Sequence, residues 1–276
     1  MSHVEDHFTG TAGGRVYWQA WLPETDPGGV VVICHGLAEH SGRYGHVADR
    51  LTGGGYAVYA VDHRGHGRSE GPRSNLNRVA EVVADLDTLI ALVAERHPEL
   101  PVFLLGHSMG GMIALQYATG NPSRLTGLVL SAPLVQSSAA SKLQRAAARL
   151  LSAVAPNLGV TQLDSSWVSR DPAVVKAYEE DPLNYRGKVP ARTGAELLAT
   201  MDGFAERIPR LRLPLLILQG TEDKLVEPAG ARYVAEHAAS EDLTYRTYAG
   251  LYHEVMNEPE QDAVLDDLLR WLKERT

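Results

Sequence analysis

Short all-apolar runs that alternate with longer stretches of helical periodicity constrain this chain more than any other feature. Val30-Val31-Val32-Ile33, Tyr56 to Val61, Val102-Phe103-Leu104-Leu105 and Leu125 to Leu130 each read as a strand buried on both faces. Between them, a helix is expected near Tyr44 to Leu51, stopped by Gly53-Gly54-Gly55. A second is expected over Val79 to Arg96, with Val79, Val82, Val83, Leu86, Leu89, Ile90 and Val93 at helical spacing and Pro98 beyond its end. A third begins at Gly111 to Tyr117. Strand and helix in strict alternation imply βαβ units and a mostly parallel sheet. Arg15 to Leu22 is expected to begin that sheet as an antiparallel strand.

The alternation lapses from Pro133 to about Arg212, where the pattern is helical and loop-like, broken by Pro156, Pro172, Pro182 and Pro190. It resumes with a strand at Leu215 to Leu218, a helix from about Ala229 to Ala239, a strand at Leu243 to Tyr248 and a helix at Glu260 to Lys273. Both ends of the interruption feed one sheet. Residues 133–212 are therefore expected as a helical cap, or lid, inserted into an α/β core of residues 1–132 and 213–276.

A net charge of −8 excludes the basic surface that nucleic-acid binding requires. Cys34 is the only cysteine, so no internal disulfide framework can exist. The polar start, Met1-Ser2-His3-Val4-Glu5-Asp6-His7, lacks the basic and apolar regions of a signal peptide. No apolar run approaches the ~20 residues that cross a bilayer. These features set the expectation of a cytoplasmic protein.

The pattern G-x-S-x-G occurs twice, and context separates the copies. It works as a nucleophile elbow only when a strand runs into the serine and a helix leaves it. Gly106-His107-Ser108-Met109-Gly110 follows the Val102–Leu105 strand and opens an apolar helix. Gly67-Arg68-Ser69-Glu70-Gly71 follows the polar Asp62-His63-Arg64-Gly65-His66 and precedes Pro72, so Ser69 reads as turn chemistry. Ser108 is the expected nucleophile. A serine hydroxyl needs a base within hydrogen-bond reach and a group that orients the base. On such an elbow the chain order is serine, acid, histidine. Asp223 follows the Leu215–Leu218 strand, and His253 follows the Leu243–Tyr248 strand. Both would leave the sheet edge that carries Ser108. Glu222 is the rival acid. The oxyanion hole needs two backbone N–H groups, expected from Met109 and from Leu37 in His35-Gly36-Leu37 after the first buried strand.

No cofactor or metal is expected. His35, His40, His63 and His66 lack helix-face ligand spacing and a carboxylate set. Cys34 has no paired base and reads as a buried inert residue. Ala139 to Ala155 reads as an amphipathic helix, with Leu143, Ala147, Leu150, Leu151 and Val154 on one face and Lys142, Arg145 and Arg149 opposite. Such a helix either packs on the cap core or docks on an anionic lipid surface.

His35-Gly36-Leu37-Ala38-Glu39-His40-Ser41-Gly42-Arg43-Tyr44 resembles the oxyanion-loop signature of monoacylglycerol lipases. Asp62 to Gly71, Gly106 to Gly111, the cap segments Asp164 to Ser166, Ser169-Arg170 and Tyr178 to Leu183, then Leu218-Gln219-Gly220 and Tyr252-His253 continue the resemblance over nearly the whole chain. It implies the α/β-hydrolase fold and hydrolysis of monoacylglycerol to fatty acid and glycerol. It also implies a polar set at Glu39, Arg43 and Tyr178 that holds the glycerol end. Mammalian members carry a second histidine three residues past the catalytic one, where this chain has Met256. Lysophospholipase, short-chain esterase or thioesterase activity, or a catalytically dead lipid-binding protein, are the alternatives on the same fold.

Overall fold

The computed structural model describes residues 1–120, 122–136 and 142–276, with only the backbone of residues 142–143. The expected helix start at 139–141 and the side chains of Lys142 and Leu143 lie outside these. In chain order the first part runs β1 (Ser2–Thr9), β2 (Arg15–Leu22), β3 (Gly29–Cys34), α1 (Gly45–Gly53), β4 (Tyr56–Val61) and α2 (Val79–Arg96). It continues with β5 (Val102–His107), α3 (Met109–Ala118) and β6 (Gly127–Ser131). Then come α4 (Lys142–Val154), β7 (Gly159–Thr161), α5 (Pro172–Glu180), β8 (Val189–Pro190), α6 (Ala191–Asp202) and α7 (Phe204–Arg207). The chain closes with β9 (Leu215–Gly220), α8 (Pro228–His237), β10 (Leu243–Tyr248) and α9 (Gln261–Lys273).

Eight of the described strands form one sheet in the order β1-β2-β4-β3-β5-β6-β9-β10. From β4 to β10 every pair is parallel, while β1–β2 and β2–β4 are antiparallel. The inner strands β3, β4, β5 and β9 are buried at every position. That burial is why they read as unbroken apolar runs. One face is covered by α1 and α9 through Val47, Leu51, Leu265, Leu268 and Trp271. The other is covered by α2, α3 and α8 through Leu86, Leu89, Ile90, Ile113 and Val234.

Two expectations are corrected. The sheet begins one strand earlier than Arg15, at β1, which pairs with β2 in register from Ser2↔Leu22 to Thr9↔Arg15. Only Val4 and Phe8 of this edge strand are partly buried, so it carries no apolar run. The interruption between β6 and β9 also holds a small antiparallel ladder, β7–β8, too short to leave a periodic signal. Helices α4 and α6 pack side by side in that stretch. Helix α5 is started by Asp171, whose carboxylate accepts the Ala173 N–H (2.8 Å), with Pro172 in the first turn.

Candidate active site

The C-terminal ends of β3, β5, β9 and β10 all open on one edge, where a parallel sheet presents its functional groups. Ser108 lies between β5 and α3 with φ 53° and ψ −117°. That conformation costs an L-residue on the order of 1–3 kcal/mol and persists only when its surroundings enforce it. Here they do. The Ser108 N–H donates to Ser131 O (2.9 Å), and Ser108 O accepts from Met112 N (3.1 Å) and Leu134 N (3.0 Å). The flanking glycines explain themselves sterically. A Cβ on Gly106 would lie 2.4 Å from Gly110 O, and one on Gly110 would lie 2.0 Å from Cys34 O.

Ser69 has different work. Its hydroxyl donates to Asp62 O (2.6 Å) and accepts from Tyr17 N (2.8 Å), which locks a turn against β2.

His253 Nδ1 faces Asp223 Oδ2 at 2.8 Å. The Asp223 carboxylate also accepts from Leu225 N (2.9 Å), Val226 N (2.9 Å) and Gln219 Nε2 (3.1 Å). Burial pushes its pKa up, but the His253 charge and these donors outweigh burial and hold it below the usual carboxylate range. Burial likewise pushes His253 down, and Asp223, Glu254 and Glu39 outweigh it, so its pKa is raised. Glu222, the rival acid, is exposed. The ring of His107, beside Ser108, lies 4.7 Å from that of His253. Burial above all, with His253 second, lowers the His107 pKa to about 4, so it stays neutral at pH 7.

The turn after β3 lies against the serine, since a Cβ on Gly36 would be 3.3 Å from Ser108 Cβ. The Gly36 N–H donates to Glu39 Oε1 (2.6 Å), which leaves Leu37 as the next amide along the turn. Met109 opens α3, where the first N–H groups of a helix have no partner within it. The turn is held by the stretch between β6 and β9, with Tyr185 N (2.9 Å) and Tyr178 OH (3.2 Å) both donating to Ala38 O.

Above Ser108 opens a cavity of about 480 Å³, lined below by Leu37, Met109 and His253 and above by Ala148 and Leu151 of α4 and Leu198 of α6. Glu39 and Tyr178 line it as well, whereas Met256 is packed in the core under the sheet, its carbonyl accepting from His46 Nε2. The apolar side of α4 is divided: Ala147 and Leu151 face the cavity, while Leu150 (67% exposed) and Val154 (72%) face outward. Arg145 is bound to Asp202 (2.6 Å), with Arg149 at 3.8 Å. Among the described residues no cluster could hold a metal ion. Cys34 is buried and, against the expectation that no base is paired with it, its Sγ lies 3.2 Å from His63 Nε2; burial still pushes the thiol well up.

Sequence reasoning missed Glu254 and Glu258. Glu258 is wholly buried and accepts from Tyr252 N (2.8 Å) and Arg170 Nε (2.9 Å), tying the histidine loop to the segment before α5. No sequence pattern marks such contacts.

The elbow, the late acid and histidine, and the sheet order together define an α/β-hydrolase. A family model described as serine aminopeptidase, S33, matches residues 25–260. A monoacylglycerol lipase of Mycolicibacterium smegmatis is 46% identical over 97% of this chain and 96% of its own length. A monoglyceride lipase of Rattus norvegicus is 37% identical over 98% and 90%. The crystal structure of a Paleococcus ferrophilus monoacylglycerol lipase superposes with a TM-score of 0.84 at 32% identity, covering all of both chains. The chain belongs to the monoacylglycerol lipase family within that wider serine hydrolase family.

Proposed function

We propose that this chain is a carboxylic ester hydrolase that cleaves monoacylglycerols to fatty acid and glycerol, with Ser108, His253 and Asp223 as its catalytic triad. The observation that carries the reading is the buried Asp223–His253 pair beside an enforced serine elbow at the floor of an apolar cavity.

The ionised Asp223 accepts from His253 Nδ1, so Nδ1 carries the proton and Nε2 is free to act as base. Ser108 Oγ attacks the ester carbonyl carbon as its proton passes to Nε2. The Leu37 and Met109 N–H groups hold the oxyanion, each donor being worth about 3–4 kcal/mol of barrier. The intermediate collapses, the C–O bond to glycerol breaks, and the Nε2 proton leaves with the glycerol oxygen. Water then attacks the acyl-enzyme with His253 as base, the fatty acid departs and Ser108 regains its proton. No cofactor takes part.

Residues 133–212 act as the lid, and the acyl chain lies between α4 and α6. Leu150, Val154, Leu158, Val160, Leu163 and Trp167 give the lid an exposed apolar rim next to the cavity. That rim docks peripherally on a lipid surface to collect substrate. No helix is long and apolar enough to cross a membrane among the described residues. Docking rests on the apolar rim, because Arg145 and Arg149 are turned to Asp202.

The test is a hydrolysis panel of monoacylglycerols against diacylglycerols, lysophospholipids and p-nitrophenyl esters. Monoacylglycerol should give the highest kcat/KM. A lysophospholipid in first place would overturn the substrate assignment and leave the triad standing.

A further inference from the structure

The resemblance gives Glu39 and Arg43 to the glycerol end, but their bonds run elsewhere. The Arg43 guanidinium is enclosed and meets two carboxylates. One of its terminal nitrogens donates to Glu39 Oε2 (2.6 Å) and to Glu254 Oε1 (2.7 Å), and the other donates to Glu254 Oε2 (2.7 Å). The Tyr178 ring covers it at 4.7 Å. Glu39 Oε1 is engaged by Gly36 N–H (2.6 Å) and Tyr44 OH (2.8 Å). Glu254 Oε2 also accepts from Asn257 Nδ2 (2.8 Å), and the Glu254 N–H donates to Val168 O (2.8 Å). One arginine thus joins Glu39, which holds the Gly36 amide of the turn that carries Leu37, to the residue after His253.

We propose that Glu39, Arg43 and Glu254 form a brace that sets the position of His253 relative to the oxyanion turn, with Glu254 as a positioning residue for ester hydrolysis. The proposal rests on the serine-hydrolase reading of Ser108 and His253. Stability alone does not account for the brace. Two carboxylates and one guanidinium give up water, and an apolar set of similar volume is often as stable or more so. What an apolar set cannot supply is a bidentate, directional link between two loops. The brace also carries one net negative charge beside the base. The charged groups facing His253 are Asp223, Glu254 and Glu39, with Arg43 between the last two and His107 neutral against the ring. The excess negative charge favours the imidazolium that forms in the transition state.

Two substitutions separate geometry from charge, read on p-nitrophenyl butyrate, which has no glycerol, and on a monoacylglycerol. Glu254→Gln keeps the shape, turns an amide N–H toward the guanidinium and removes one negative charge. It should lower kcat on both substrates by the same factor, roughly 10–100-fold as for a small misplacement of a catalytic group, with little change in KM. The acid limb of its kcat/KM profile should move to lower pH. Arg43→Lys keeps the charge and loses the bidentate link, so kcat should fall similarly with the limb unmoved. Thermal melting of both variants checks folding, and if Glu254→Gln does not fold, Arg43→Lys alone decides. A loss confined to the monoacylglycerol and carried by KM would make these residues glycerol contacts and overturn the brace, as would unchanged kcat on both esters. Fluorophosphonate labelling of the wild type, absent in Ser108→Ala, tests the underlying reading separately.

Discussion

Helix α6 contains a glycine whose only evident use is to leave space. Gly194 has no left-handed φ, lines the cavity, and a Cβ added there would meet only Val160 Cγ2 at 3.8 Å. Elsewhere in the fold a glycine is required by collision, as at Gly110, but not here. Gly194→Leu should therefore fold at least as well as the wild type, since leucine is better than glycine in a helix by up to about 0.8 kcal/mol. Its four added carbons occupy the room of four methylenes of a bound acyl chain. At about 0.8 kcal/mol per buried methylene, long-chain substrates lose about 3 kcal/mol of binding, roughly 200-fold in kcat/KM. Substrates too short to reach α6 should be spared. The assay is kcat/KM over monoacylglycerols of graded chain length, with thermal melting in parallel. A uniform loss at every length, or no loss at the longest, would refute the placement of the acyl chain between α4 and α6.

Three other outcomes follow from the same geometry. Asp223→Asn should lower kcat by about 10⁴-fold and move the acid limb of kcat/KM to lower pH, because the carboxylate raises the His253 pKa; a stopped pH-rate profile reads both. Burial, ahead of neighbouring charges, lowers the pKa of His63 to about 3 and of His66 and His107 to about 4. The unfolded chain takes up these protons near pH 6.5, so their contribution is complete above that and drains as pH falls toward 4. Burial lowers His35 well below its ordinary value too, so with up to four protons involved unfolding free energy should drop by up to about 5 kcal/mol per pH unit in that window. Denaturant titrations at pH 7 and 5 measure it, and a slope under one proton would be inconsistent. Replacing Leu150 and Trp167 by serine should reduce co-sedimentation with phosphatidylcholine vesicles while leaving hydrolysis of a soluble butyrate ester unchanged.

The parts legible in the sequence are those whose physics is local. Strand β4 and helix α2 lie where period and punctuation place them, because β4 is buried throughout after Gly53-Gly54-Gly55 and α2 buries one continuous face and stops before Pro98. Ser108 was separable from Ser69 because an elbow needs a strand and a helix at once. Strand β1 was invisible because an edge strand with only Val4 and Phe8 partly buried has no apolar alternation. The ladder β7–β8 is two to three residues long and includes Pro190, which cannot donate. Glu254 was unreadable for a different reason. Its partner Arg43 lies 211 residues away, and only the β3 and β10 loops meeting at one sheet edge bring them together. Helix α4 was half legible: its apolar residues are evident, but their division between cavity and solvent depends on where α6 packs.

The claim that organises the rest is that Ser108 is a nucleophile activated by His253 for monoacylglycerol hydrolysis. Intact-mass spectrometry after fluorophosphonate treatment tests it directly, alongside fatty-acid release from a monoacylglycerol. Wild type should gain one adduct on Ser108 and lose hydrolysis in step with labelling, while Ser108→Ala gains none. An adduct on any other residue, or hydrolysis that survives in Ser108→Ala, would contradict it.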